Sequence, residues 1–243
     1  MNFKYFSYLI ILAVSHALQG FSLIVIPFLF LDPIFYNEIE KIKRISQLEA
    51  CSRGGEAIIG PSEIDSITTE FNLFCDSAWI KSFLIMVLLM GLCTTGIFFT
   101  FYSVHPNKRL YVISGGLALS GIFAITSTVG YDNSIIFLSL SLFFSYFFSY
   151  CWYSNIYTYL NEVFPKENRK FLPSIMTCFY GFGTIALVLT TYVINDWRSI
   201  FRYYYGIPAS IMGITVFAFA KTFKIAQIKE EKVKMKLTNH FEY

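Results

Sequence analysis

The sequence predicts an all-α polytopic membrane protein with six transmembrane helices, and three observations support this fold class. Only 14% of the 243 residues are charged, whereas soluble domains average about 25%. The charged residues leave six long uncharged stretches, which are 5–31, 82–104, 110–131, 133–161, 171–195 and 203–220. A helix needs about 20 apolar residues to cross a hydrocarbon core of about 30 Å. Strict period-two alternation is absent, which argues against a membrane β-barrel.

These stretches divide the chain into four segments. Residues 1–31 contain the first span, 32–78 an acidic loop with short helices, 79–221 spans two to six, and 222–243 a basic tail. The first apolar run is too long for the hydrophobic region of a signal peptide. The tail has lysines interleaved with apolar residues, so we expect it to lie on an anionic membrane surface or to dock a partner subunit.

The distribution of Lys and Arg predicts the orientation. Basic residues cluster at Lys108–Arg109, around Lys166 and in the tail, all on one side of the membrane. The loop on the other side carries nine acidic residues against four basic ones. Because Lys and Arg in short connections stay on the inner side, both termini are expected in the cytoplasm, or in the matrix or stroma of an organelle.

The acidic loop has few local signals. Helical spacing predicts a short helix over residues 37–48, and a capping-box pattern predicts another helix start at 62–65. Cys51 and Cys75 are expected to form a disulfide if the loop faces an oxidising compartment, which would stabilise it by about 3 kcal/mol. No Asn-x-Ser/Thr sequon occurs in the chain, which is unexpected for a large extracellular loop. A solvated acidic cap without a ligand explains the charge of the loop.

Three segments stand out as motifs: Ile-Thr-Thr-Glu-Phe-Asn-Leu-Phe-Cys-Asp-Ser-Ala-Trp at 67–79, Tyr-Leu-Asn-Glu-Val-Phe-Pro-Lys-Glu-Asn-Arg at 159–169, and Asp-Trp-Arg at 196–198. They resemble segments of the organic cation/anion transporters, a branch of the major facilitator superfamily. The resemblance implies the six-helix bundle of the N-terminal half of such a transporter. It also implies that substrate would bind between two such halves near the middle of the membrane.

The second motif and the connection between spans two and three are candidate remnants of a cytoplasmic gate. The candidate residues are Glu162, Pro165, Arg169, Lys108 and Arg109. Pro165 is expected to end the fourth helix, which leaves Glu162 and Arg169 at the membrane surface, near each other or near helix ends. The family has an Asp where this chain has Val104, and a valine side chain accepts no hydrogen bond. We therefore expect the gate latch to be disabled. An ordinary surface ion pair is the alternative interpretation.

Polar residues within the spans are uncharged, and they form two helical stripes. The candidate cavity residues are His16, Gln19, Ser145, Ser149, Tyr153 and Tyr157. They line a cavity in which tyrosine rings suit an organic cation, or they form hydrogen bonds between helices. No second ligand has the spacing needed for a metal site with His16. The sequence shows no nucleophile–base pair, phosphate-binding loop or dinucleotide fingerprint, so we expect neither enzyme activity nor a cofactor.

Two functional hypotheses follow. The first is a transport-incompetent half-transporter that acts as a structural or accessory subunit of a larger membrane complex, for example an organelle respiratory assembly. The second is a half-size transporter that dimerises to move small organic ions or metabolites. The chain ends at Tyr243, soon after the sixth span, so either hypothesis expects the bilayer and other membrane subunits or a second six-helix half as partners. Nucleic acid is not expected, since net charge is only +3. We expect the membrane to be the mitochondrial inner membrane or the plasma membrane.

Overall fold

The computed structural model describes residues 3–37, 44–45, 47–52, 57–59, 65–129, 134–164 and 166–221. Six of its helices are long and apolar enough to cross a membrane, which confirms the six predicted spans and the all-α membrane fold. In chain order the helices are α1 (Phe3–Ile24), α2 (Ile26–Leu29), α3 (Gln47–Ser52), α4 (Ile67–Glu70), α5 (Ala78–Phe101), α6 (Pro106–Val129), α7 (Ile135–Val163), α8 (Leu172–Val193) and α9 (Trp197–Ser199). The sixth span, Trp197–Lys221, consists of α9, a π-helical turn over Ile200–Gly206, and the helix that follows it.

Local sequence explains where the spans begin and end. A proline in the first turn of α2 accompanies the break that separates this short helix from α1. Ser134 caps the start of α7 by accepting a hydrogen bond from the backbone N–H of Phe137. The carboxylate of Asp196 caps α9, accepting from the N–H groups of Arg198 and Ser199 at 3.1 and 3.0 Å. The α7 helix ends at Val163, as expected for the residues that precede a proline.

Small residues let the helices pack closely. The α1 helix lies against α8, α7 lies against both α5 and α6, and the π-helical turn lies against α6. A Cβ atom built on Gly183 would lie 1.8 Å from the carbonyl oxygen of Ala17, and one on Gly20 would lie 2.2 Å from that of Tyr180. These two glycines therefore set the separation of α1 and α8, as expected where helices associate by van der Waals packing.

The acidic loop contains a small antiparallel sheet that the sequence did not predict. Its strands are β1 (Phe35–Asn37), β2 (Arg44–Ile45) and β3 (Ala57–Ile59), in the order β2-β1-β3. Phe35 lies opposite both Ile45 and Ile59. The prediction of a helix over residues 37–48 is therefore wrong at residues 37 and 44–45, which belong to strands. Long-range strand pairing outweighs a local helical spacing.

The other predictions for the loop and tail have mixed outcomes. A capping box was predicted at 62–65, of which 62–64 lie outside the described residues. A capping box does occur four residues further along the chain, where Ser66 and Thr69 cap each other at the start of α4. The Ser66 hydroxyl also donates to the carbonyl oxygen of Leu31 at 2.6 Å, which ties the start of α4 to the residue that precedes the loop. Pro165 and the tail 222–243 lie outside the described residues.

Candidate functional site

Charged side chains gather at both ends of the helix bundle. At the end that carries the Lys–Arg connections, Arg109 of α6 forms an ion pair with Glu162 of α7. The Arg109 side chain is only 9% exposed, whereas that of Glu162 is 34% exposed. We call Arg109, Glu162 and the carbonyl of Val104 the basic-side cluster. It joins two of the five residues that the sequence singled out as gate remnants.

Val104 takes part in this cluster through its main chain. Its carbonyl oxygen accepts a hydrogen bond from Arg109 Nη2 at 2.9 Å. The expectation of a disabled latch considered only the side chain, which indeed cannot accept a hydrogen bond. Because α5 ends at Phe101, the connecting residues turn a backbone oxygen toward the guanidinium, and Arg109 keeps an acceptor at this position.

Two further gate candidates, Arg169 and Lys108, lie outside the basic-side cluster. Arg169 Nε donates to the carbonyl oxygen of Phe164 at 3.1 Å, so it caps the C-terminal end of α7. The alternative expectation, a contact between Arg169 and Glu162, is not what the structure shows. Lys108 is exposed and makes no ion pair within the described part of the chain.

The opposite end carries a larger network, which we call the loop-side cluster. Both carboxylate oxygens of Glu70 lie 3.0 Å from Arg198 Nε, and Arg198 Nη2 makes a further contact with Oε1. Trp197 Nε1 donates to Glu70 Oε2 at 2.7 Å. Arg198 Nη1 and Arg202 Nη2 both donate to the carbonyl oxygen of Thr128, at 2.7 and 2.8 Å. One carboxylate thus connects the loop to the sixth span, and the two arginines connect that span to α6.

Main-chain contacts strengthen the loop-side cluster. The Asp65 N–H donates to the carbonyl oxygen of Asn195 at 2.6 Å, and the Trp197 N–H donates to that of Asp65 at 3.0 Å. A disulfide joins Cys51 of α3 to Cys75, where the second span begins, with a Cα–Cα distance of 5.4 Å. The loop is therefore attached at several points to the end of the bundle.

Sequence reasoning identified the two motifs that form this cluster but not their contact. Glu70 lies in the first motif and Trp197-Arg198 in the third, 127 and 128 residues away. No local signal pairs residues so far apart. One clue was available in the sequence. Glu70 and Arg198 have opposite charges and are predicted on the same side of the membrane, which favours a contact between them.

The candidate cavity residues meet in the packed interior. His16 Nε2 lies 3.1 Å from the Tyr157 hydroxyl, and Ser149 donates to Gln19 Oε1 at 2.7 Å. Ser145 donates to the carbonyl oxygen of Ser120 at 3.0 Å. His16, Gln19, Ser145 and Ser149 are each at most 1% exposed. These contacts are the hydrogen bonds between helices that were one of the two interpretations of the stripes.

Three buried polar atoms in this interior have no hydrogen-bond partner. They are His16 Nδ1, Gln19 Nε2 and Trp152 Nε1. The His16 ring stacks on Tyr153 with ring centroids 5.4 Å apart, and it meets Tyr180 at 6.0 Å. Buried polar groups are rarely left unpaired, so these atoms are exceptions within an otherwise hydrogen-bonded interior.

A set of half-buried tyrosines covers this interior, and we call it the tyrosine face. Its members are Tyr150, Tyr153, Tyr157 and Tyr180. Tyr153 contacts both Tyr150 and Tyr157, with ring centroids 5.5 and 6.2 Å apart. The hydroxyls of Tyr150, Tyr153 and Tyr180 make no hydrogen bond within the described part of the chain. Tyr153 and Tyr157 are thus the two predicted cavity residues that reach the bundle surface.

The described residues contain no group of three or more His, Cys, Asp or Glu side chains able to hold a metal ion. The charged side chains of the described spans lie within about two turns of a span end. Examples are Lys81, Arg109, Glu162 and Arg202. No protein-family model matches the chain, and no curated protein matches it.

Proposed function

We propose that this integral membrane protein is a non-transporting accessory subunit of a larger membrane assembly, built on a bundle like one half of a major-facilitator transporter. The observation that carries the proposal is the tyrosine face. Three phenolic hydroxyls there have no hydrogen-bond partner in the described bundle, and such groups are costly against lipid tails. A partner protein with polar side chains at this face would satisfy them.

The interior behind the tyrosine face supports an accessory role over transport. His16, Gln19, Ser145 and Ser149 are buried and hydrogen-bonded across helices, so they hold the bundle together. Intramembrane charges are the usual means by which transporters bind and couple ions. Among the described residues such charges occur only near the span ends.

A docking test follows from the tyrosine face. The full chain would be purified in mild detergent, and the co-migrating proteins would be identified and quantified by mass spectrometry. We expect stoichiometric recovery in a hetero-complex. The triple variant Tyr150→Phe, Tyr153→Phe, Tyr180→Phe should lose most of the partner, because each substitution removes only a hydroxyl.

The matched control places the same change elsewhere in the membrane. Tyr111, Tyr203 and Tyr204 are 62%, 56% and 41% exposed, and their triple change to Phe should leave partner recovery unaltered. Equal recovery from both triple variants would overturn docking through the tyrosine face. Fractionation of the source cells, with the plasma membrane separated from the mitochondrial inner membrane, decides between the two proposed locations.

A second candidate is a half-size transporter that dimerises to move small organic ions or metabolites. The basic-side cluster favours it, since the ion pair of Arg109 and Glu162 joins two of the proposed gate residues. Its test is reconstitution in liposomes with labelled organic cations and anions. A stable homodimer with uptake that falls in Glu162→Gln would replace the accessory role with transport.

A further inference from the structure

A groove opens between α5, α6 and α7 at the basic-side end of the bundle. Its volume is about 590 Å³. The walls are mainly apolar and include Phe99, Val112, Leu119, Phe147 and Phe148. The rim carries polar side chains, among them Ser103, His105 and Lys108. None of the tyrosine face residues lines this groove, so it is separate from the proposed docking surface.

The length of the groove matches one leaflet of a bilayer. It follows α6 from Lys108 at the rim to Leu119, which corresponds to about 16 Å along a helix axis. Half of a hydrocarbon core of about 30 Å is about 15 Å. Phe147 and Phe148, near the middle of α7, close its deep end. The groove therefore runs from the membrane surface to the bilayer midplane.

The rim of the groove is positively charged. Arg109 is occupied by Glu162 and by the carbonyl of Val104. Lys108 beside it is exposed and makes no ion pair within the described part of the chain. Its ammonium group is therefore available to an anion at the membrane surface.

The floor of the groove has open space for a ligand. A Cβ atom built on Gly115 would meet no atom within 4 Å. The neighbouring Gly116 differs, since a Cβ there would lie 3.0 Å from the carbonyl oxygen of Phe148. Gly116 thus serves helix packing, whereas Gly115 leaves room above the groove floor.

We propose that this groove binds an anionic phospholipid from the leaflet on the basic side. One acyl chain lies along Val112, Gly115 and Leu119 toward the midplane, and the phosphate lies at Lys108. Apolar walls of one-leaflet depth select a chain-bearing ligand over free phosphate, and the unpaired lysine selects a net negative headgroup over a zwitterionic one.

The test measures lipid retention by the purified full-length protein with native mass spectrometry. The probes are phosphatidylglycerol, phosphatidylcholine with the same acyl chains, and glycerol phosphate, which has no chain. We expect retention of phosphatidylglycerol several-fold above that of phosphatidylcholine, and no retention of glycerol phosphate. Equal retention of the two lipids would overturn the headgroup assignment, and retention of glycerol phosphate would overturn the lipid assignment.

Two variants separate the parts of the site. Gly115→Phe should weaken retention of phosphatidylglycerol by at least about tenfold, because the ring displaces several buried methylene groups. Its control is Gly181→Phe, at the other glycine with no atom within 4 Å of an added Cβ. Lys108→Gln should weaken phosphatidylglycerol about twofold to fivefold and leave phosphatidylcholine unchanged, whereas Lys166→Gln should change neither.

Labelling of the unaltered protein keeps the proposal testable if Gly115→Phe fails to fold. Phosphatidylglycerol with a diazirine on its acyl chain should label peptides that contain Phe98–Tyr102 or Phe147–Cys151. Excess unlabelled phosphatidylglycerol should compete with it. Labelling spread evenly over all six spans, or wild-type retention by a folded Gly115→Phe variant, would overturn the proposal.

Discussion

The two ends of the bundle are held together in different ways. At the loop side, Glu70 binds side chains of both Trp197 and Arg198, main-chain hydrogen bonds flank them, and a disulfide closes the loop. At the basic side, α6 and α7 are joined by the ion pair of Arg109 and Glu162. The loop-side end therefore includes a covalent cross-link, whereas the basic-side end is held by non-covalent contacts, among them the Arg109–Glu162 ion pair and the hydrogen bond between Tyr8 and Tyr159. We expect the basic side to open first when the bundle is perturbed.

Removal of the disulfide should have the largest effect on the loop-side end. The double variant Cys51→Ser, Cys75→Ser is expected to lower the free energy of unfolding by about 3 kcal/mol, since the cross-link restricts the unfolded chain. Reversible unfolding in mixed micelles of dodecyl maltoside and dodecyl sulfate measures this. The control is the double change to Ser at Cys93 and Cys178, which are free and exposed. An equal loss in both variants would contradict a stabilising role for the disulfide.

Loss of the Glu70 carboxylate should come next in size. Glu70→Gln leaves Arg198, which is 26% exposed, without its anionic partner, and hydrogen bonds to charged groups contribute about 1.5–3 kcal/mol. We expect a loss of about 2 kcal/mol in the same unfolding assay. Glu167→Gln, at an exposed position, serves as the control. If Glu70→Gln unfolds like its control, the loop-side cluster does not anchor the loop.

The basic-side ion pair should contribute less to the free energy of unfolding than Glu70 does. Its loss should, however, make the nearby connection more accessible to protease. Glu162→Gln is expected to cost about 1 kcal/mol, because the Glu162 side chain is 34% exposed and partly screened by solvent. Trypsin cleavage near Lys166 and Arg169 should accelerate at the same time. A double-mutant cycle with Arg109→Gln isolates the coupling between the two residues. Unchanged cleavage would show that the ion pair does not close this end.

The smallest effect is expected at Val104. Arg109 binds the main-chain oxygen of this residue at 2.9 Å, so Val104→Ala should change the free energy of unfolding by less than about 0.5 kcal/mol. The same unfolding assay measures it, with Val112→Ala in the groove as a comparison. A loss above about 1 kcal/mol, which is the upper end of the range for an exposed ion pair, would mean that the side chain holds the connection in place.

The sequence predicted the spans well because a membrane makes a simple demand on composition. Each uncharged stretch corresponds to one membrane-spanning helix. Pro165 was expected to end the fourth span, and α7 ends at Val163. The loop sheet was missed because strands of two or three residues carry no periodic signal. Their pairing depends on residues 8 to 24 positions away, which local spacing does not describe.

The sequence predicted which polar residues form the candidate site, but not which of them contact one another. The stripe containing His16 and Gln19 was found on α1, yet its partners Tyr157 and Ser149 depend on how α1 and α7 face each other. A motif describes side chains and not main-chain atoms, so it did not indicate the Val104 carbonyl as a hydrogen-bond acceptor. It also does not describe contacts between distant motifs, such as that between Glu70 and Arg198.

The contact between Glu70 and Trp197 imposes an order on biogenesis. The two residues are 127 positions apart, so Glu70 leaves the ribosome well before its partner is made. Until the last span is inserted, the loop lacks its anchor on Trp197 and Arg198 and is held by its contacts near the first two spans. The loop of a chain stalled before residue 197 would therefore be more exposed to proteases. The contact between Glu70 and Trp197 forms once all six helices have reached the membrane.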